Sequence, residues 1–282
     1  MVGDILPNIS KELLLRFGLT FRSDLRKAEG FHEIHLTPDT LDFAEGFDIV
    51  VRVGWKKLTF SFIPGPKAGL LLRTMGVSGL DNRIVFSSVA ENIISKRGNV
   101  ELFINRSRYD PVDYQNLPSE WTALSITASS PFIETEGDLS EEDQLDELVV
   151  EWAGLFISMI FPLLPIVYEE TAASEIQKGE FEGRKIVTPS TRHERSRNNR
   201  LACLAANGYR CKVCGINFEE KYGAIGAGFM EVHHKNPVST MEQEQYVNPV
   251  KDLVPLCPNC HAMVHRKDPP FTVDELKLLI KK

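Results

Sequence analysis

The sequence predicts an α+β protein of two unlike parts, and three observations along its 282 residues carry that expectation. Over the first 133 residues, segments with apolar residues at a period near two alternate with segments at a helical period, the pattern of a mixed α+β domain. All five cysteines fall between residues 203 and 260. Charge is divided along the chain as well. Residues 1–133 hold fifteen Lys or Arg against fifteen Asp or Glu, residues 134–180 one against thirteen, and residues 181–282 sixteen against eleven. These observations divide the chain into an α+β domain over 1–133, an acidic helix and connector over 134–180, and a second domain over 181–282. The net charge of −7 hides a basic C-terminal part that suits an anionic partner such as nucleic acid.

In the first domain SKELLLRF (10–17) reads as a helix, and FHEIHL, FDIVVRV and KLTFSFI read as strands. RVGWKK turns the second strand into the third, and PGP (64–66) ends the run. A helix over 88–97 and strands over 100–105 and 121–129 follow. Asp138 to about Ile160 reads as one helix, acidic where the helix dipole favours negative charge and apolar afterwards, packing as the last element of this domain. The apolar run from Trp152 to Val167 is sixteen residues long and holds Pro162 and Pro165. That is short of the ~20 needed to span a bilayer, so no membrane segment is expected. The first residues lack a basic start followed by an apolar run, which makes a cytoplasmic protein the expectation. Phe31, Trp55, Phe60, Phe62 and Trp121 are candidates for a base pocket, but strand aromatics at period two are more often core.

Chemistry concentrates in the last hundred residues. Cys211-Lys-Val-Cys214 and Cys257-Pro-Asn-Cys260 are each C-x2-C, the spacing at which two thiolates of one tight knuckle grip a tetrahedral ion, and together they predict a four-cysteine structural zinc site. Forty-two residues separate the pairs, enough for a functional insert. Cys203, in the helical LACLAAN, reads as a small core residue. His261 follows Cys260 directly, and His265 lies four residues on, so one face of a short helix starting near Pro258 offers two imidazoles. In EVHHKNP (231–237) two histidines are adjacent, and neighbouring side chains of a strand point to opposite faces. His233 and His234 therefore either do different jobs or one of them is incidental. Gly223, Gly226 and Gly228 read as a turn into that strand, since no P-loop lysine follows. Arg192, Arg195, Arg197 and Arg200, in a stretch whose sole acid is Glu194, are candidates to contact phosphates, with a solvated basic linker as the competing reading. Thr272 to Glu275 form a capping box for a last helix.

Taken together, CKVCG, YGAIGAGFMEVHHKNP, DLVPLCPNCHAMVHR and PPFTVDELK resemble an HNH endonuclease of the ββα-metal fold, close to the McrA-type restriction nucleases. The resemblance covers residues 181–282 and not the part before. It implies that His233, His261 and His265 hold a catalytic divalent ion, that His234 is the general base, and that Cys211, Cys214, Cys257 and Cys260 hold a separate structural zinc. The asparagine that gives the family motif its middle letter falls at Asp252, which can brace a loop only as an acceptor. The ion is left open among magnesium, manganese, nickel, cobalt and zinc. The implied activity is hydrolysis of DNA phosphodiesters, in a modification-dependent restriction or other phage-defence enzyme whose first domain reads the modified base. One site per chain is compatible with a homodimer for cutting both strands. Two other readings share these residues: a non-catalytic zinc-stabilised nucleic-acid-binding module, and a nuclease acting on RNA.

Overall fold

A computed structural model describes residues 5–17, 20–28, 31–39, 43–54, 56–132, 142–165, 197–235, 247–267 and 269–280. An antiparallel sheet of seven strands organises the first part. Its strands are β1 (Phe21–Ala28), β2 (Phe31–Pro38), β3 (Phe47–Val53), β4 (Leu58–Pro64), β5 (Asn99–Ile104), β6 (Ser107–Tyr109) and β7 (Leu124–Ser129). Their order is β1-β2-β3-β4-β7-β5-β6, so β7 is inserted between the end of the meander and the β5–β6 hairpin. The period of two puts Ile34, Leu36, Ile49, Val51, Phe60, Phe62, Ile126 and Leu102 on one buried face. His35, Val50, Ser61, Thr127 and Glu101 lie in register across the opposite, partly exposed face.

Helices α1 (Ile5–Phe17), α2 (Gly69–Gly76), α3 (Leu80–Ser95) and α4 (Glu142–Ile160) contribute to the core on the apolar face. The expected strand positions agree with β2 to β5 and β7 within a few residues. The expected helix at 88–97 belongs to the longer α3, and three elements were not anticipated: α2, β1 and β6. β1 carries Arg22, Asp24 and Arg26 on its exposed face, the charged pattern of an edge strand, which weakens its apolar signal while discouraging edge-to-edge pairing. β6 has three residues, too few to show a period. The described part of the expected acidic helix is α4, which lies in the first core through Trp152, Phe156 and Met159. Residues 134–141 and 166–180 of the connector lie outside the described residues. Among the described residues no helix is long and apolar enough to cross a membrane.

Phe60, Phe62 and Trp121 are fully buried, so these candidates for a base pocket serve the core instead. Trp121 directs its indole N–H to the carbonyl of Pro118 and packs so closely on Gly76 that a Cβ there would sit 2.9 Å from the ring. Phe31 is half-buried under the guanidinium of Arg52, and Trp55 lies outside the described residues.

The second part is small. It comprises α6 (Phe218–Tyr222), β8 (Glu231–His234), β9 (Leu253–Leu256), α7 (Pro258–Val264) and α8 (Val273–Leu279), the last opened by the capping box of Thr272 and Glu275. Helix α5 (Arg197–Asn207) joins the two parts, because Leu201 and Ala202 enter the first core while Leu204 enters the second. Asn198 bonds Asn82, and Lys251 pairs with both carboxylate oxygens of Glu91 at 2.9 Å, so α3 meets the second part at two polar points. Phe60 has 0% exposure and its ring lies 5.9 Å from that of Phe156, across the sheet–helix boundary. Phe60→Ala is expected to lower stability by about 3–5 kcal/mol in urea unfolding, the cost of a large buried cavity.

Candidate metal centres

The two C-x2-C pairs close on each other. Gly215, at φ 78°, allows the chain to turn back after Cys214, and its N–H bonds the carbonyl of Cys211 at 2.9 Å. The second pair opens α7. Cys257 is the N-cap, its sulfur accepting from the N–H of Cys260, and Pro258 supplies the fixed φ of the first turn. The four sulfurs lie within 4.8 Å of one another, and Cys214 Sγ is 3.7 Å from Cys257 Sγ. Burial pushes the thiols of Cys257 and Cys260 up, and crowding by neighbouring thiols adds to it. At Cys211 burial acts the same way, but backbone N–H groups of Cys257, Cys214 and Val213 outweigh it and hold this thiol below its ordinary range. A donor set of four sulfurs, crowded in this way, fits a zinc ion, whose two positive charges would offset half the charge of four thiolates. Cys203 stands apart, with 0% exposure on α5 and a thiol that burial pushes up to about 12, the behaviour of an inert core residue.

A second cluster forms where β8 lies beside α7. His233 pairs with Val254 across the two-stranded sheet, and α7 runs on from β9 through Cys257. The rings of His233, His261 and His265 meet edge to face, with centroids 5.0–5.2 Å apart, and one nitrogen of each falls within 4.8 Å of the others. His233 and His261 are 5% and 9% exposed, whereas His265, at the C-cap of α7, is exposed. Two of the three rings are therefore buried, and the third reaches solvent. A cation held there would keep coordination positions free, and three imidazoles suit a borderline divalent ion.

Glu231 was not anticipated from the sequence. Its Oε2 lies 2.5 Å from Nδ1 of His261. A carboxylate this close to Nδ1 can hold the orientation of the His261 ring, as a partner behind a metal-ligating imidazole does. The signal was present in the alternation of the strand, because Glu231 and His233 are two residues apart and share a face. Its partner is thirty residues away, however, beyond the reach of any local pattern.

His234, half-buried, has the opposite parity on β8 and stands outside the three-imidazole cluster. Asp252 acts as an acceptor: its Oδ2 takes the N–H of Asn248 at 2.8 Å and so closes the 248–252 loop. The backbone carbonyl of Asp252 takes the N–H of Lys235 at 2.9 Å, fastening this loop to the residue after His234. Of the four candidate arginines, Arg192 and Arg195 lie outside the described residues, and Arg197 is the first residue of α5. Arg200 donates to the carbonyls of Gly228 and Met230, at 3.3 and 2.9 Å, an internal clamp between α5 and the approach to β8.

Residues 211–267 match the HNH endonuclease family. The match is to this segment of the chain, which holds both clusters and ends two residues beyond His265. No curated protein and no solved structure matches the chain. Loss of the Glu231 carboxylate in Glu231→Ala is expected to weaken binding of one equivalent of manganese or nickel at the imidazole cluster by roughly 10–100-fold, with the cysteine site unaffected. Isothermal titration of the zinc-loaded chain reads this directly.

Proposed function

We propose that the C-terminal part is a metal-dependent DNA endonuclease. The observation that carries this reading is the convergence of His233, His261 and His265 beside a second histidine of opposite strand parity, in a segment that matches a nuclease family. His233, His261 and His265 would hold a divalent ion, and Cys211, Cys214, Cys257 and Cys260 a structural zinc. Bound there, a divalent ion supplies Lewis acidity toward phosphate and leaving-group oxygens.

A phosphodiester resists hydrolysis because its anionic oxygens repel nucleophiles and its sugar oxygen is a poor leaving group, so an enzyme must generate hydroxide and absorb charge. His234 takes the proton from the attacking water, a role for a neutral imidazole at a pH near its unperturbed pKa of about 6.5. Asp252 supports that base from behind, because the loop it closes is bonded to the backbone directly after His234. Glu231 holds the orientation of the His261 ring. Arg192, Arg195 and Arg197 are the remaining candidates for phosphate contact, and Arg200 positions the loop ahead of β8. In this reading residues 1–133 supply recognition, and the whole chain acts in restriction or another defence against foreign DNA. The modified-base role comes from the likeness to McrA-type nucleases, and the burial of Phe60, Phe62 and Trp121 places any base contact elsewhere than on those rings.

The test is cleavage of plain, methylated and hydroxymethylated DNA, with labelled RNA alongside, over a series of divalent metals. His234→Ala is expected to lose roughly 10²–10⁴ in kcat while retaining its zinc. Full cleavage by this variant would remove His234 from the mechanism, and no cleavage by the wild-type chain under any metal would leave a binding module.

A further inference from the structure

Between the first cysteine knuckle and β8 the chain raises an apolar crown. Ile225 sits on a 3-10 turn (Gly223–Gly226) and is 89% exposed, the most exposed large hydrophobic residue among those described. Tyr222 and Phe229 flank it at 53% each. Single exposed apolar residues need no explanation, but three neighbours on a built support do.

The support is rigid by several independent contacts. Asn217 caps α6 by accepting from the N–H groups of Glu219 and Glu220. The ring of Phe218 stacks on Tyr222 at 5.9 Å and meets Phe229 edge to face at 5.0 Å. Gly223, at φ 68°, turns the chain, and Gly226 lies so close under the carbonyl of Phe218 that a Cβ would collide with it. Arg200 then clamps Gly228 and Met230 to α5, and Met230 leads directly into Glu231, His233 and His234. The crown is thus tied to the strand that carries the candidate catalytic histidines.

We propose that Ile225, flanked by Tyr222 and Phe229, is a wedge that inserts between base steps of duplex DNA next to the cleavage site. The proposal rests on the nuclease reading for its partner and adds how that partner is held. Size decides between occupants. A stable protein interface buries about 1,200–2,000 Å², far more than three side chains offer, whereas one apolar side chain is enough to unstack a base step. Charge permits this partner, since residues 181–282 are net basic and the two acids of α6, Glu219 and Glu220, are balanced locally by Lys221, whose ammonium lies 5.4 Å from the Tyr222 ring, and by Arg210, which pairs with Glu220. A side chain inserted at a base step kinks the duplex there and changes the width of the groove beside it.

The experiment uses the full, zinc-loaded chain without added catalytic metal and a duplex with 2-aminopurine at a central pyrimidine–purine step. Wild type raises the fluorescence of the unstacked base, Ile225→Ala does not and binds roughly tenfold more weakly, and Ile225→Phe restores both. Because Ile225 is so exposed, the alanine variant keeps its fold. An undiminished fluorescence rise with Ile225→Ala overturns the wedge. So does a change in elution volume without a change in fluorescence, which would make the crown a contact between copies of the chain. Hydrolysis of bis(p-nitrophenyl) phosphate with manganese reads the metal centre separately and is expected to be equal in wild type and Ile225→Ala. A fluorescence rise with no hydrolysis of this ester or of DNA under any divalent metal supports the wedge as a DNA contact and defeats the nuclease reading, and hydrolysis with no rise does the reverse.

Discussion

The C-terminal part depends on one corner, the junction at Cys257. There β9 ends, α7 begins, and a sulfur is delivered to the four-thiol cluster, all at a single residue. Because β9 pairs with β8 and α7 continues from the corner, the angle between strand and helix fixes where His233 meets His261 and His265. A helix of seven residues and a two-stranded sheet share only a small apolar core with α5 and α8, and elements this short are marginal in water without further support. Four thiols around one tetrahedral ion would supply the missing rigidity. The frame and the imidazole cluster are in this sense one structure, with the first positioning the second.

Within that frame, parity separates chemical tasks. Adjacent residues of β8 face opposite ways, so the strand places His233 in the cluster and keeps His234 out of it with no further device. The same parity puts Glu231 on the side of His233, where its carboxylate meets Nδ1 of His261. A helix spacing of four brings the other two rings together. Two elementary periodicities, crossed at one point, make a three-nitrogen cluster from one position of a four-residue strand and two positions, four apart, at the end of a helix.

Those periodicities explain what was legible in the sequence. The cysteine pairs and the helix histidines have local spacings that mark them as candidate ligands, whereas the doublet's spacing leaves His233 and His234 undivided, and only the resemblance assigns them separate parts. The strands β2 to β4 were legible for the same reason, through Ile34, Ile49, Val51 and Phe60 at period two. Glu231 was missed because a carboxylate next to a histidine on a strand means nothing until a distant helix supplies its partner. Arg200 was grouped with phosphate-contacting arginines because its composition is that of its neighbours, and only the fold reveals the carbonyls of Gly228 and Met230 in front of it. The dual membership of α5 was hidden by its apolar stretch, in which Leu201, Ala202 and Leu204 are adjacent in sequence but enter different cores. Ile225 was read as part of a glycine turn, and its exposure emerges only with the stacked rings beneath it.

Zinc K-edge X-ray absorption on the full chain distinguishes two separate cation sites, one of sulfur and one of imidazole, from a single mixed site. Two separate sites would give a first shell of four sulfurs at about 2.3 Å with one equivalent of zinc, and a new contribution from nitrogen at about 2.0–2.1 Å with a second. A mixed shell of nitrogen and sulfur at one equivalent would contradict this arrangement, because the thiols and the imidazoles would then share a single ion.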